Sequence, residues 1–134
     1  MHSVVHVLTA DVVGPHAIAG RLTTHLRHLP DDPLAVHCDF FSPGGRRVTT
    51  WVFARALLEE GVHGPAGEGD VRVCPAGPRT TEVTLRSPSG QCVLHLRTAA
   101  VLTYLARSDA WPTAVAARVA SAVDELLTGL HAAG

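Results

Sequence analysis

Between residues 35 and 40, apolar and polar side chains alternate. Val36, Cys38 and Phe40 fall on one side of an extended chain, and Ala35, His37 and Asp39 fall on the other. That period predicts a strand with one face turned to a core. Ser42-Pro43-Gly44-Gly45 follows. Proline presets a bend and glycine supplies positive φ, so a hairpin is expected. Residues 47–53 return through Val48, Thr49, Thr50, Trp51, Val52 and Phe53, a run rich in strand formers. Ala54 to Glu60 reads as a short helix stopped by Gly61. The stretch 61–69, with glycines at 61, 64, 67 and 69, reads as a turn-rich loop.

The second half repeats the plan. Val71 with Val73, then Val83 with Leu85, mark two strands, and Ser87-Pro88-Ser89-Gly90 is another turn of the same kind. Cys92, Leu94 and Leu96 line the next strand. Thr98 is placed to cap a helix to about Arg107, with Val101, Leu102 and Leu105 on one face. Hairpin, turn, strand and helix thus occur twice, about 45 residues apart, which predicts a pseudo-duplicated domain. Upstream, residues 3–9 alternate as a strand does. Residues 17–27 fit a strand (Ile18, Gly20, Leu22) or a helix (Ile18, Leu22, Leu26, Leu29), and periodicity leaves both open. Leu29 to Pro33 reads as a turn or loop, because each proline disfavours helix at its predecessor. From Pro112 the apolar stripe Val115, Val119, Val123, Leu126, Leu130 predicts a longer helix that either packs on the domain's own sheet, the commoner case, or faces a partner.

Composition narrows the class. A chain of 134 residues, 46% hydrophobic, fits one domain over 1–134 with one core. No apolar run reaches the roughly 20 residues of a membrane span, and no signal peptide is visible, so a cytoplasmic location without membrane insertion is expected. The net charge of −1 gives little steering toward nucleic acid, and no nucleic-acid partner is expected. All 11 basic residues are arginine, which with the absence of lysine reads as the coding bias of a GC-rich genome. Cys38, Cys74 and Cys92 form an odd set without a C-x-x-C pair and read as free thiols.

Candidate chemistry is sparse. Among nine histidines, His25-x-x-His28 is the best metal-like pair, and His2 and His6 share a strand face, but no carboxylate or thiol pattern completes a site. His37 and Cys38 would face opposite sides of one strand. Arg46 and Arg47 at a hairpin tip, and Glu59 and Glu60 at a helix end, read as solvated. The Gly-rich loop lacks the Lys-Ser/Thr of a phosphate loop, and no nucleophile elbow is present. Trp51 and Phe53 share a strand face and read as core. No catalytic residue, metal or cofactor is expected, and the chain reads as a non-enzymatic module.

The framework itself carries a resemblance. Asp32-Pro33 with Ala35-Val36-His37 and Phe40, then Trp51-Val52-Phe53-Ala54-Arg55, Leu57-Leu58 and Glu60-Gly61, then His63, Pro65, Gly67, Gly69-Asp70-Val71-Arg72-Val73 and Pro75, match in order and spacing. Over this segment the chain resembles the SsgA-like family of actinobacterial sporulation and cell-division proteins. The resemblance implies a small non-enzymatic regulator that places or activates sporulation septa or matures the spore wall. It would act at division septa through contacts with other division proteins, reaching the tubulin-like ring protein directly or through them. It implies an α+β fold with Whirly-like antiparallel β-sheets, and a homotrimer. Asp32, Pro33, His37, Trp51, Phe53, Arg55, Gly61, Pro65, Gly69 and Asp70 are carried over as structural or interaction residues. The alternative on that fold is a single-stranded nucleic-acid-binding module. The first 30 residues, notably Arg21–His28, and the C-terminal helix depart from the family pattern.

Overall fold

The computed structural model describes residues 3–108. The elements run β1 (Val4–Val13), β2 (Ile18–Leu29), β3 (Asp32–Phe41), β4 (Arg47–Ala54), α1 (Arg55–Gly61), β5 (Val71–Pro75), β6 (Thr80–Ser87) and β7 (Gly90–Arg97). A second helix, α2, occupies 98–108. The helix expected from Pro112, like His2, lies outside the described residues.

The seven strands form one sheet in the order β4-β3-β2-β1-β7-β6-β5, every neighbouring pair antiparallel. The expected plural sheets are thus one sheet made of two meanders, β1–β4 and β5–β7. The repeated plan stands within it as β3-β4-α1 and β6-β7-α2. Residues 17–27, open in sequence, are strand. In β2 Leu22 is half-buried and Thr24, Leu26 and His28 are buried, a period of two, while the intervening side chains stay more exposed.

The sheet curls until its two meanders face one core. Leu26, Cys38, Phe40 and Phe53 from the first, Leu58 of α1, and Val83, Leu85, Leu94 and Leu96 from the second surround a void of only about 10 Å³. A void that small holds at most about one water, so the packing is dry and close. The helices then cross over. α1 follows the first meander yet lies on β5, where Gly61 meets Val73. α2 follows the second yet reaches the first, where the Tyr104 hydroxyl donates to the Arg27 carbonyl at 3.3 Å. Each helix covers the other unit's strands.

Four local expectations change. The β2–β3 turn is only Pro30-Asp31, and Asp32 and Pro33 belong to β3. Two β2 steps, Arg27 to Leu29, are matched by five β3 steps, Asp32 to His37, so β3 bulges there and the bulge holds the proline that a regular ladder would refuse. Gly61 does not end α1 by adopting positive φ. It is the last helical residue, and Val62 caps the helix in a right-handed conformation. A Cβ on Gly61 would lie 2.2 Å from Val73 Cγ1, so close approach demands the glycine. Thr98 is the first residue of α2, and its hydroxyl bonds the Thr81 hydroxyl at 2.8 Å. The buried stripe of α2 is Val101, Tyr104 and Ser108 with half-buried Leu105, while Leu102 is exposed.

Candidate functional site

The carried-over residues fall into three groups. The first is a clasp at the helix end of the molecule. Arg55 opens α1 and is buried. Its guanidinium donates to the Leu105 carbonyl at 2.8 Å and to Ser108 Oγ at 3.3 Å, and it pairs with Glu59 one turn on. A planar arginine fork suits a carbonyl and a hydroxyl that its rigid donors reach together. Glu59, expected to face solvent alone, is this arginine's partner, because i and i+4 lie on one helix face. Gly61 brings α1 onto Val73. The loop beyond is stitched to the same strand: Ala66 and Val73 exchange two backbone hydrogen bonds of 2.8 and 2.9 Å. Gly67 turns there at φ +90°, and its Cβ position is closed by the Val71 carbonyl. Pro65 and Gly69 are exposed parts of this loop, and the Asp70 carbonyl accepts the Arg86 N–H at 2.8 Å.

The second group is the β3 bulge. His37 Nε2 lies 2.8 Å from Asp32 Oδ2. Five residues of straight strand would separate them by about 17 Å. The contact therefore exists only because the bulge folds the strand back, with Leu34 68% exposed at its crest. The third group, Trp51 and Phe53, lies on the core face of β4 and packs half-buried against the core, as the strand pattern predicted. Trp51 stands at the mouth of a cleft of about 380 Å³ with Phe40, Val48 and Cys92.

Sequence reasoning missed a buried polar network. Asp39 is buried, pairs with Arg27 at 2.6 Å and accepts the Thr50 hydroxyl at 2.6 Å. Burial works against the Asp39 charge, but Thr50 and Arg27 outweigh it and hold the carboxyl below its usual range. Cross-strand neighbours on β2, β3 and β4 make this set, so only the register reveals it. His28 belongs to the best metal-like pair in the sequence, which no further ligand completed. His25 and His28, three apart on a strand, face opposite sides. His25 rests on Phe41, with ring centroids 4.5 Å apart. His28 is 1% exposed, with neither ring nitrogen hydrogen-bonded. Burial, then Arg55, lowers its pKa and keeps it neutral.

The chemistry these groups offer is structural. Burial raises the pKa of all three free thiols, Cys38, Cys74 and Cys92, away from the reactive thiolate. Tyr104 is pushed up to about 12 by burial, beyond use as a base near neutrality. No group of three metal-ligating side chains occurs among the described residues. No described helix is long and apolar enough to cross a membrane.

A curled antiparallel sheet with two exchanged helices and an arginine clasp defines a framework module of the α+β class. The model of the Streptomyces sporulation and cell division protein SsgA matches residues 22–116, most of the chain, and the protein belongs to this family. A sporulation-specific cell division protein of Frankia casuarinae is 40% identical over 108 residues, covering 78% of this chain and 73% of its own. SsgB of Streptomyces coelicolor is 43% identical over 88 residues, 63% of this chain. That match spans 64% of the relative's length, just under two thirds. Two solved structures share the fold. One, from work on SsgB mutations that correlate with longitudinal cell division during sporulation of Streptomyces coelicolor, has a TM-score of 0.74 at 34% identity, covering 81% of this chain and 87% of that one. The other, an SsgA-like sporulation-specific cell division protein of Thermobifida fusca, has a TM-score of 0.72 at 26% identity, covering 90% and 95%.

Proposed function

We propose that this chain is a non-enzymatic regulator of sporulation-specific cell division, placing or activating septa or maturing the spore wall by touching other division proteins. The family match over residues 22–116 carries the reading. The site supports it: the motif residues clasp, pack and bulge, and what they build is a shaped surface. In this reading the protein works in the cytoplasm at division septa and meets the tubulin-like ring protein directly or through another component. Its two meanders and exchanged helices form a Whirly-like domain that assembles as a homotrimer. Light scattering tests the assembly, and a strictly monomeric solution state counts against it. A single-strand-binding role is the weaker reading, since fold alone motivates it and the net charge is −1.

The test is deletion of the gene in its sporulating host, with imaging of septa in aerial hyphae. Missing or misplaced septa, or misshapen or thin-walled spores, are expected. Normal septation, spore shape and wall thickness together sink the proposal.

A further inference from the structure

The sheet is complete everywhere but at its middle. β1 pairs with β2 over its whole length, Val4 to Val13. On its other side β1 pairs with β7 only at Asp11–His95 and Val12–Leu94. Beyond those pairs the two meanders part. The gap is a cleft of about 680 Å³, with Val7, Leu8, Thr9, Asp11 and Arg21 on one wall and Thr80, His95, Leu96 and Arg97 on the other.

The cleft wall offers backbone. Antiparallel residues alternate between turning their N–H and C=O groups to one neighbour and to the other. Asp11 pairs toward β7, and the Val5 carbonyl already accepts Arg107 Nη1 at 3.3 Å. Val7 and Thr9 lie between them at two-residue steps, so their N–H and C=O groups face the cleft. Among the described residues no strand pairs with this edge, and such an edge is a template for one more strand. Val7 to Thr9, the stretch left between Val5 and Asp11, spans about 7 Å, room for about two to three extended residues. Val7 is 57% exposed, an apolar contact for a side chain of that strand.

Charge sets the occupant's character. Within the cleft Arg21 is paired with Asp11 at 3.2 Å and His95 with Glu82 at 3.1 Å. Arg97 makes no ion pair or side-chain hydrogen bond among the described residues and is exposed, which leaves an unpaired guanidinium on the cleft wall. We infer that the β1–β7 cleft binds an extended, acidic segment of a partner protein as an added strand, with the Val7 and Thr9 backbone supplying the ladder and Arg97 selecting a carboxylate. This rests on the reading that the chain acts by touching division proteins.

The test screens a phage-displayed library of random ten-residue peptides on the purified full chain. Enriched peptides are expected to be rich in Asp or Glu and in strand formers. Their binding should fall about tenfold or more with Arg97→Glu and with Thr9→Pro, which removes the edge donor. Peptide should slow hydrogen exchange at the Val7 and Thr9 amides, and peptides with Lys in place of the acids should recover affinity for Arg97→Glu. Arg97 is exposed, so its variant stays informative even where Thr9→Pro fails to fold. No enrichment, enriched peptides without carboxylates, or unchanged binding to Arg97→Glu overturns the inference. Protection of Val7 and Thr9 that grows with protein concentration alone also overturns it, because a second copy of the chain then fills the cleft. Normal septation in a deletion strain carrying Arg97→Glu defeats this site while leaving the division role standing. Normal septation in the deletion strain itself defeats the division role instead.

Discussion

The two meanders meet in two places, and the two places are built differently. At the helix end, α1 and α2 cross over, and Arg55, Glu59, Leu105, Ser108, Gly61 and Val73 close the junction. In mid-sheet, β1 and β7 touch at two pairs and then diverge around exposed charge. The closed junction is knit by side chains beside a cleft of about 340 Å³, while the open one leaves backbone groups and an arginine facing out. Of the carried-over residues Arg55 and Gly61 sit at the closed junction and none lines the open cleft, and this asymmetry separates what holds the domain from what the domain presents.

Breaking the closed junction should give the largest effects. Arg55→Ala removes a donor from the Leu105 carbonyl and from Ser108 Oγ and strips Glu59 of its partner. It should lower stability by about 3 kcal/mol, read from the denaturation midpoint. A loss under about 1 kcal/mol would mean that the helices dock without the clasp. Gly61→Ala places a methyl against Val73 and should cost about 1–3 kcal/mol, despite the roughly 1 kcal/mol that alanine gains over glycine within a helix. An increase in stability would show that β5 gives way freely.

Acid comes next, because the three titrating groups, His28, His6 and Asp39, all lie outside the lining of the open cleft. His28, with its pKa lowered in the fold, binds a proton more readily in the unfolded chain, so stability is full above about pH 6.5 and falls as pH drops below it. His6, lowered by burial and Arg107, acts in the same direction. Asp39 has its carboxyl held low, so its contribution is present above about pH 3.9 and is lost as pH falls through its folded value. Denaturation midpoints across pH should therefore drop in two stages. His28→Leu should shrink the first and Asp39→Asn the second. A flat profile between pH 7 and 5 contradicts the assignment of His28 as a buried neutral group.

Much of this fold was legible because it is local. The alternation of Val36, Cys38 and Phe40, the two S-P-x-G turns and the glycine stop each report on a few neighbouring residues. β2 stayed ambiguous because Ile18, Leu22 and Leu26 satisfy both periods, and only its pairing with β1 and β3 selects the strand. Gly61 looked like a stop signal because the residue it must accommodate, Val73, is remote in sequence. Arg27, Asp39 and Thr50 gave no signal, since their meeting depends on register across three strands. Arg55 was picked up through the family pattern, but its α2 partners stand 50 and 53 residues away. The open seam was invisible for the same reason: a strand pattern tells which side chains are buried and nothing of which backbone edge lacks a neighbour.

At the open seam substitution should barely touch stability, with Arg97→Glu expected within about 0.5 kcal/mol of the parent. The most direct measurement is therefore complementation. A strain lacking the gene receives the parent chain or Arg97→Glu at matched protein levels, and septa are imaged in aerial hyphae. The parent is expected to restore regular septa, and Arg97→Glu, though folded, is not. Regular septation restored by both chains would contradict that expectation.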